Sequence, residues 1–474
     1  MTTKTTEASV TSQGEPVDLY HLDPDAVREP PTKLSGKVKF LGPGMLTSAA
    51  VIGSGELITT TALGAQAGFA LLWLIIISTL VKVWVHIEFA QWTILTGKTA
   101  IDGYSTIGPR WRGIGIINML WIANEFPKLI QRGGVVGGTA AALSLAFPVF
   151  GAPLSGPSMS LWVVVVVITV VALLYTNRYG LIEKIATVAI LFLVGVTLVL
   201  ALGLPLTPFA YDAGDIAYGL SFNIPAGALG IALAMFGLTG FTAPEINTYG
   251  YWCIEKGYAR WVGSDDGSED RARRAKGWIS VMRLDVACAW VVMTVCTMGF
   301  YVMGAAVLHP QGLVPQGNEV IATLSRMYTD TMGEWAGPLF LLAAVLTLGS
   351  TTLSVGAAMP RLWTNTLGLL GLAGWNDPVR RRTWIRIWSV ALPILWAVSY
   401  FAIQEPVLMI MIGGIADALF LIAMVFAIWI LRTREVERRF RRSSFWTIAL
   451  LVSSGAILSI GAMGLLEILG VPLG

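Results

Sequence analysis

The sequence predicts an all-α membrane protein, and three observations support this prediction. Hydrophobic residues make up 55% of the 474 residues and charged residues only 13%, whereas a soluble domain has roughly 25% charged residues. The mean hydropathy is +0.69. Apolar stretches long enough for a span of about 20 residues recur along the chain, and Lys and Arg collect between them.

The apolar stretches predict eleven transmembrane helices. Of the 32 Lys and Arg residues, 28 fall in connections that share one side if the N-terminus is cytoplasmic, and only Arg326 falls on the other side. Because positive loops stay inside, we expect a multi-pass protein of the plasma (inner) membrane with Gly474 outside. The predicted spans are 41–63, 69–95, 114–147, 159–176, 181–204, 226–252, 283–308, 335–364, 386–403, 406–431 and 445–469.

The chain divides into a tail and a membrane domain. Residues 1–36 are polar, rich in Pro, Asp and Glu, and contain no apolar signal segment. We interpret them as a cytoplasmic tail, disordered or lying on the membrane surface, and 37–474 as the transmembrane domain. The three cysteines lack paired spacing. No cofactor and no nucleic-acid partner are predicted.

Two predicted spans carry interruptions at matching positions. The first contains Gly53 and Glu56 in mid-span, and the sixth contains Gly240, Pro244 and Glu245. Gly and Pro weaken helices, and paired interruptions five spans apart are typical of transporters built from inverted repeats. Because broken backbone at mid-membrane must line a cavity or be buried in protein, we expect both spans to unwind and both carboxylates to approach one cavity.

Basic residues also lie within predicted spans. Lys82 and His86 are four residues apart, as are Lys128 and Arg132, so each pair shares a helix face. The expected partners are two acidic residues, Glu88 and Glu125. Intramembrane charges face a cavity or one another. Three interpretations stay open: structural ion pairs, a charge relay for protons, or an anion-binding half of the site that favours a zwitterionic or organic substrate.

The first two spans resemble the Nramp family of divalent metal-ion transporters. The resemblance rests on Ser48–Trp73, on GPG at Gly42–Gly44, on GAQ-G-aromatic at Gly64–Phe69 and on TGK at Thr96–Lys98. It extends over roughly 40–470. It implies a LeuT-type fold with five-helix inverted repeats at 41–204 and 226–431, plus an eleventh transmembrane helix.

The sequence departs from the family at the metal-binding signatures. The family's Asp-Pro-Gly-Asn falls at 53–56, here Gly-Ser-Gly-Glu, and its Met-Pro-His falls at 243–245, here Ala-Pro-Glu. The family's tenth-helix Gln falls at Asp417, and a third-helix Asp of its proton route falls at Arg132. The third-helix Glu is retained as Glu125.

The resemblance and the residues together predict a site with oxygen ligands only. Loss of the soft Met sulfur removes a preference for late transition metals, and carboxylates with backbone carbonyls suit Mg²⁺ or Mn²⁺. The candidate substrate-binding positions are Ala50, Gly53, Glu56, Gly240, Ala243, Glu245 and Asp417. The candidate proton pathway or charge network comprises Lys82, His86, Glu125, Lys128 and Arg132.

The predicted function is secondary active transport of a divalent metal cation, with protons as a candidate coupling ion. One alternative is transport of an organic cation or an amino-acid-like solute on the same fold. Another is a sensor that does not transport, although the tails are short for one. The sequence has no HExxH, GxSxG or GxxxxGK[ST] motif, so we do not expect an enzyme.

Overall fold

The computed structural model describes residues 18–22, 26–175, 179–225, 227–441 and 444–468. Eighteen α-helices and one two-stranded hairpin are described in these ranges. The first nine helices are α1 Leu34–Val38, α2 Pro43–Val51, α3 Thr61–Ala67, α4 Leu72–Thr96, α5 Ala100–Ser105, α6 Ile116–Ala146, α7 Gly156–Tyr175, α8 Tyr179–Gly203 and α9 Ala213–Gly219. The other nine are α10 Leu229–Leu238, α11 Ala243–Lys256, α12 Tyr258–Val262, α13 Glu269–Met303, α14 Val320–Met332, α15 Ala336–Leu369, α16 Pro378–Ile403, α17 Pro406–Glu435 and α18 Ser444–Ile468.

The remaining elements are short. A π-type segment, Ile52–Thr60, joins α2 to α3, and a second one, Gly304–Leu308, extends α13. The strands β1 Arg110–Trp111 and β2 Ile114–Gly115 pair in antiparallel register. Single 3₁₀ turns lie at Leu204–Leu206, Gly317–Glu319 and Arg438–Phe440.

The helices match the eleven predicted spans. Eight helical segments in the described ranges are long and apolar enough to cross a membrane, with α10 and α11 counted as one. The other three predicted spans correspond to α2 with α3, to α6, and to α8. At the centre of the bundle, α17 packs against α6 and α10. The fold is therefore all-α apart from the short hairpin.

The sixth span is broken, as predicted. α10 ends at Leu238, Thr239 is extended with ψ 148°, and α11 begins at Ala243. Gly240 has φ +64°, a left-handed conformation that L side chains rarely adopt. The break therefore covers Thr239–Thr242 and places two helix ends in the middle of the bundle.

The first span is not broken, and the prediction of an unwound segment near 53–56 is wrong. The backbone stays helical and widens into the π-type segment, a form that is often found at functional sites. Gly53 and Gly55 serve close packing instead. A Cβ atom on Gly53 would lie 2.3 Å from Thr351 Oγ1, and one on Gly55 would lie 2.4 Å from the Leu238 carbonyl oxygen.

The connections rich in Lys and Arg meet at one end of the bundle. Lys98, after α4, pairs with Glu435 at the end of α17 at 3.1 Å. Arg271, at the start of α13, donates to the Leu95 carbonyl oxygen at 2.8 Å. This arrangement agrees with the predicted number of spans, because one missed helix would place these loops at opposite ends. That this end is cytoplasmic stays a prediction.

The described part of the N-terminal tail packs on this same end, unlike the disordered or membrane-lying tail that the sequence predicts. Tyr20 donates to Glu255 at 2.6 Å, and Arg28 lies over the rings of Phe40 and Trp261. Residues 1–17 and 23–25 of the predicted tail, and the predicted outside terminus at Gly474, lie outside the described residues.

Candidate functional site

A small pocket with a cavity volume of about 30 Å³ lies beside the break in the sixth span. Its wall combines charged and hydroxyl side chains with apolar ones, and it is formed by α2, α6, α10, α11, α15 and α16 with the break itself. The lining residues are Ala50, Val51, Lys128, Gln131, Arg132, Val135, Leu238, Thr242, Pro244, Glu245, Thr351, Thr352, Val355 and Trp396.

Glu245 is the carboxylate that lines this pocket. It lies in the first turn of α11, where a negative charge is favoured by the exposed backbone N–H groups. The Thr242 hydroxyl donates a hydrogen bond to its carboxylate. Glu245 also interacts electrostatically with Lys128, Asp417 and Arg132, so four charged side chains act on one another around the pocket.

Asp417 lies behind the pocket and is fully buried in α17. Lys128 of α6 forms a buried ion pair with it, and Asn124 donates to its other oxygen at 3.2 Å. Lys128 also lines the pocket. The same ammonium group therefore neutralises Asp417 and borders the space that a substrate would occupy.

Arg132 pairs with Glu125, one of the two expected acidic partners. The guanidinium donates to Glu125 Oε2 at 2.7 Å and to Oε1 at 3.4 Å, and it also contacts Met359 Sδ at 3.0 Å. The other expected partner, Glu88, forms an ion pair with Arg432 at 2.9 Å. The charges on α6 are thus mutually compensated within the membrane domain.

Glu56 does not line the pocket, contrary to the expectation that it shares a cavity with Glu245. It is fully buried in the π-type segment. Its carboxylate accepts from the Thr60 hydroxyl at 3.2 Å and from the Gly240 N–H at 3.5 Å. Glu56 therefore connects the first span directly to the break in the sixth span.

Lys82 and His86 lie along the break on the same face of α4. The Lys82 ammonium donates to the Phe236 carbonyl oxygen at 2.5 Å and to the Thr239 carbonyl oxygen. His86 stacks on Phe241 with 3.9 Å between ring centroids. Within the described residues neither His86 ring nitrogen has a hydrogen-bond partner, so His86 is not joined to the charge network by a direct hydrogen bond.

The small residues predicted to bind substrate have different positions. Ala50 lines the pocket. Gly240 gives its N–H to Glu56, and Ala243 is the buried first residue of α11 and does not line the pocket. Gly53 is packed against α15, where its N–H donates to Thr351 Oγ1 at 3.1 Å.

Several polar residues at the site were not predicted from the sequence. Asn124 and Gln131 share the α6 face that carries Lys128, and this spacing was the available signal. Gln131 Oε1 is buried and has no hydrogen-bond partner among the described residues. Thr242, Thr351, Thr352 and Trp396 also line the pocket, and no motif in the sequence marks them.

The described residues contain no cluster of three or more His, Cys, Asp or Glu side chains placed to hold a metal ion. Glu245, Asp417 and Glu56 instead lie near one another with basic side chains between them, and Lys82 interacts electrostatically with all three. The site therefore holds its carboxylates in a network with the protein's own cations.

Inverted-repeat helices, a mid-membrane break and a charged cavity define a membrane transporter with the LeuT fold. The chain belongs to the Nramp family, because the family model described as natural resistance-associated macrophage protein-like matches residues 44–467. Among curated relatives, an uncharacterised protein of Pasteurella multocida is 27% identical over 70% of this chain and 72% of its own length. A divalent metal cation transporter, MntH, of Verminephrobacter eiseniae is 21% identical over 91% and 90%.

Solved structures support the fold. A manganese transporter of Eremococcus coleocola matches with a TM-score of 0.66 at 16% identity, covering 93% of this chain and 88% of that one. Mhp1, a nucleobase-cation-symport-1 family transporter, matches with a TM-score of 0.54 at 15% identity, covering 90% of both chains. At these identities the likeness establishes the fold alone.

Proposed function

We propose that this chain is a secondary active transporter that moves a divalent metal cation across the inner membrane, with its N-terminus in the cytoplasm and residues 37–474 as the transporter domain. The observation that carries the proposal is Glu245, a buried carboxylate on the first turn of a helix that begins at a mid-membrane break and lines the pocket. Relatives in the family are named divalent metal cation transporters, which supports the same class of substrate.

The ligands available to such a cation are oxygens. Glu245 and the hydroxyls of Thr242 and Thr351 line the pocket, and Asp417 lies behind it. Position 243 carries Ala in place of a thioether. Carboxylate and hydroxyl oxygens favour hard cations, so we infer a preference for Mg²⁺ or Mn²⁺, with weak discrimination between them.

Binding of a cation requires rearrangement of the ion pairs. Lys128 holds Asp417 and borders the pocket, so a divalent cation that reaches Asp417 displaces the ammonium or shares the carboxylate with it. Glu56 is coupled to the break through the Gly240 N–H. We propose Glu56 as the proton-coupling carboxylate, because a proton there changes the contact between the first and sixth spans.

Uptake into proteoliposomes tests the proposal. Mg²⁺, Mn²⁺, Ca²⁺ and Zn²⁺ are offered separately, with and without a proton gradient. We expect Mg²⁺ or Mn²⁺ to enter faster than into protein-free liposomes, Glu245→Gln to abolish uptake, and Glu56→Gln to abolish its dependence on the gradient. Glu269→Gln, at an exposed surface carboxylate, is the matched control.

Three results would count against these assignments. If no metal enters faster than into protein-free liposomes, the metal substrate is wrong. If Glu56→Gln transports at the wild-type rate with unchanged proton dependence, Glu56 is only a structural partner of Gly240. Tight, selective Cd²⁺ binding in a calorimetric titration would contradict the preference for hard cations.

A second candidate substrate is an amino-acid-like zwitterion or an organic cation. The specific observation is that Lys128, Arg132 and the unpaired oxygen of Gln131 border the same pocket as Glu245. The pocket has a cavity volume of about 30 Å³, and one water molecule needs roughly 10–15 Å³ on this measure, so the pocket has to widen to admit such a solute. Thermal stabilisation by mixtures of amino acids, with no response to divalent metals, would favour this candidate.

A further inference from the structure

The end of α10 leaves backbone carbonyl groups without helical partners. In a continuous helix the carbonyl of residue i accepts from the N–H of residue i+4, and the last turn of any helix lacks these donors. Here the Thr239 N–H still bonds to the Met235 carbonyl at 2.9 Å. The chain then becomes extended, so the carbonyls of Phe236 and Thr239 must find other donors in the middle of the membrane domain.

Lys82 supplies those donors. Its ammonium lies against the carbonyl oxygens of both Phe236 and Thr239, and Ser78, one turn earlier on α4, bonds to the Thr239 hydroxyl at 2.7 Å. The Lys82 side chain is fully buried. Within the described ranges no carboxylate lies within 4.0 Å of its ammonium, so carbonyl oxygens hold it directly while more distant carboxylates balance its charge.

The geometry resembles a binding site for a small cation. Unwound backbone carbonyls at helix breaks coordinate monovalent cations in transporters, and carbonyl oxygens replace the hydration shell of such ions. In this chain the position is enclosed: Ser78 and Lys82 are fully buried, and His86 closes it by stacking on Phe241. A covalently attached ammonium stands where a dissolved ion would otherwise be coordinated.

We propose that Lys82 is a tethered monovalent cation that fills a carbonyl site at the break of the sixth span, and that removing its amine creates a binding site for Na⁺ or ammonium. The filled site holds the ends of α10 and α11 in place without a dissolved ion. The inference concerns the protein without cargo and does not depend on which solute is transported.

The test is a thermal-unfolding measurement on purified full-length protein in detergent. Wild type, Lys82→Ala and Lys82→Met are compared in choline chloride and in NaCl, KCl or ammonium chloride at equal ionic strength. Lys82→Ala removes the amine and leaves space for an ion. Lys82→Met keeps a side chain of similar length without charge or donor, so it fills the space. Lys98→Ala, at a surface ion pair with Glu435, is the control.

We expect Lys82→Ala to melt lower than wild type in choline chloride. NaCl or ammonium chloride should then raise its melting temperature saturably by at least about 2–4 °C, the shift roughly equivalent to 1 kcal/mol in a domain of 150–250 residues. Wild type and Lys98→Ala should not respond. Lys82→Met should melt low in every salt, because its side chain excludes an ion.

Three outcomes would overturn the proposal. The first is a Lys82→Ala protein that responds to the salts as wild type does. The second is a Lys82→Met protein as stable as wild type, since the carbonyls would then need no cation. The third is a Lys82→Ala protein that aggregates equally in all four chlorides, because added cation should restore it. All three outcomes are measured by thermal unfolding and need no transport assay. They can therefore be distinguished from a failure of the metal-transport assignment.

Discussion

The central cavity is governed by charges that the protein supplies itself. Four buried carboxylates face three buried basic side chains, which leaves one negative charge in excess when all are ionised. The acidic members are Glu56, Glu125, Glu245 and Asp417, and the basic members are Lys82, Lys128 and Arg132. Glu245 is the acidic member that lines the pocket, and its hydrogen-bond donor is the neutral hydroxyl of Thr242. It is therefore the carboxylate best placed to receive a positively charged group from outside.

The buried ion pair between Lys128 and Asp417 gives a prediction at this scale. Both side chains are at least 96% buried, so removing one partner leaves an uncompensated charge that costs roughly 3–5 kcal/mol. We expect Lys128→Met and Asp417→Asn each to destabilise the protein strongly. The loss in the free energy of unfolding should be clearly smaller for the double variant than the sum of the losses for the two single variants. Unfolding in mild detergent measures all three.

The solvent-accessible pair Lys98–Glu435 is the control, and its coupling energy is measured with the same set of single and double variants. Its coupling energy should be no more than about 1 kcal/mol, because solvent screens a surface pair. A coupling energy for Lys128 and Asp417 as small as that of the surface pair would mean that the two groups do not compensate each other in the folded protein.

At the scale of elements, the break in the sixth span depends on one residue with a left-handed backbone. Gly240 has φ +64°, and a Cβ atom there would lie 3.1 Å from Thr79 Cα. A left-handed conformation costs an L residue roughly 1–2 kcal/mol. We therefore expect Gly240→Ala to destabilise the protein by at least about 1 kcal/mol and to slow transport, measured by unfolding and by proteoliposome uptake.

Gly455→Ala is the control for this prediction. Gly455 lies within α18, and no atom lies within 4 Å of the position that a Cβ atom would take there. Ala at this position should therefore be neutral or should stabilise by about 0.5–1 kcal/mol. If Gly240→Ala and Gly455→Ala lowered the free energy of unfolding equally, the left-handed backbone of Gly240 would not be the cause of the loss.

The sequence predicts the break in the sixth span and not the behaviour of the first for a physical reason. In both spans Gly weakens the helix, but only the sixth has in mid-span, close to its glycine, a proline that has no N–H to donate. At Gly53 and Gly55 the missing side chains admit Thr351 and the Leu238 carbonyl. A Gly-x-Gly pattern alone does not distinguish close packing from unwinding, because both require the absence of Cβ.

The partners of the charged residues were less accessible to sequence analysis than the helices. Apolar length and Lys/Arg placement predict the spans because each is a property of one segment. The pairing of Lys128 with Asp417 joins α6 to α17, and that of Glu88 with Arg432 joins α4 to α17. Such contacts depend on tertiary packing. Only Glu125 with Arg132, seven residues apart on one helix face, was within reach of a helical-spacing argument.

At the scale of the whole molecule, the N-terminal segment joins three helices at the basic end of the bundle. Tyr20 donates to Glu255, which forms an ion pair with Arg361 of α15 at 2.5 Å, and Asp18 pairs with Arg381 of α16. Burial, followed by the charge of Glu255, raises the pKa of Tyr20 well above its usual range, so the phenol stays a donor. This segment therefore fastens the end of α11 to α15 and α16.

The same helix α11 begins at the pocket with Glu245 and ends at this contact with Glu255, about 15 Å away along a helix axis. Alternating access requires such helices to move relative to their neighbours. The segment therefore acts on the opening of the cavity, and loosening it should favour a state in which the end of α11 is separated from α15.

The last prediction measures that opening with a native cysteine. Cys253 is fully buried in α11, two residues before Glu255, and in a Cys288→Ser, Cys296→Ser background it is the one remaining thiol. We expect Tyr20→Ala to increase the maleimide-labelling rate of Cys253 at least about tenfold, which corresponds to a decrease of roughly 1.4 kcal/mol in the free energy of opening. Tyr20→Phe should have a smaller effect, because its ring still packs against Trp375, where the ring centroids lie 4.8 Å apart. Tyr218→Phe, at a half-exposed tyrosine, should leave the rate unchanged. A Tyr20→Ala protein that labels at the background rate would show that α11 is held closed by the bundle itself.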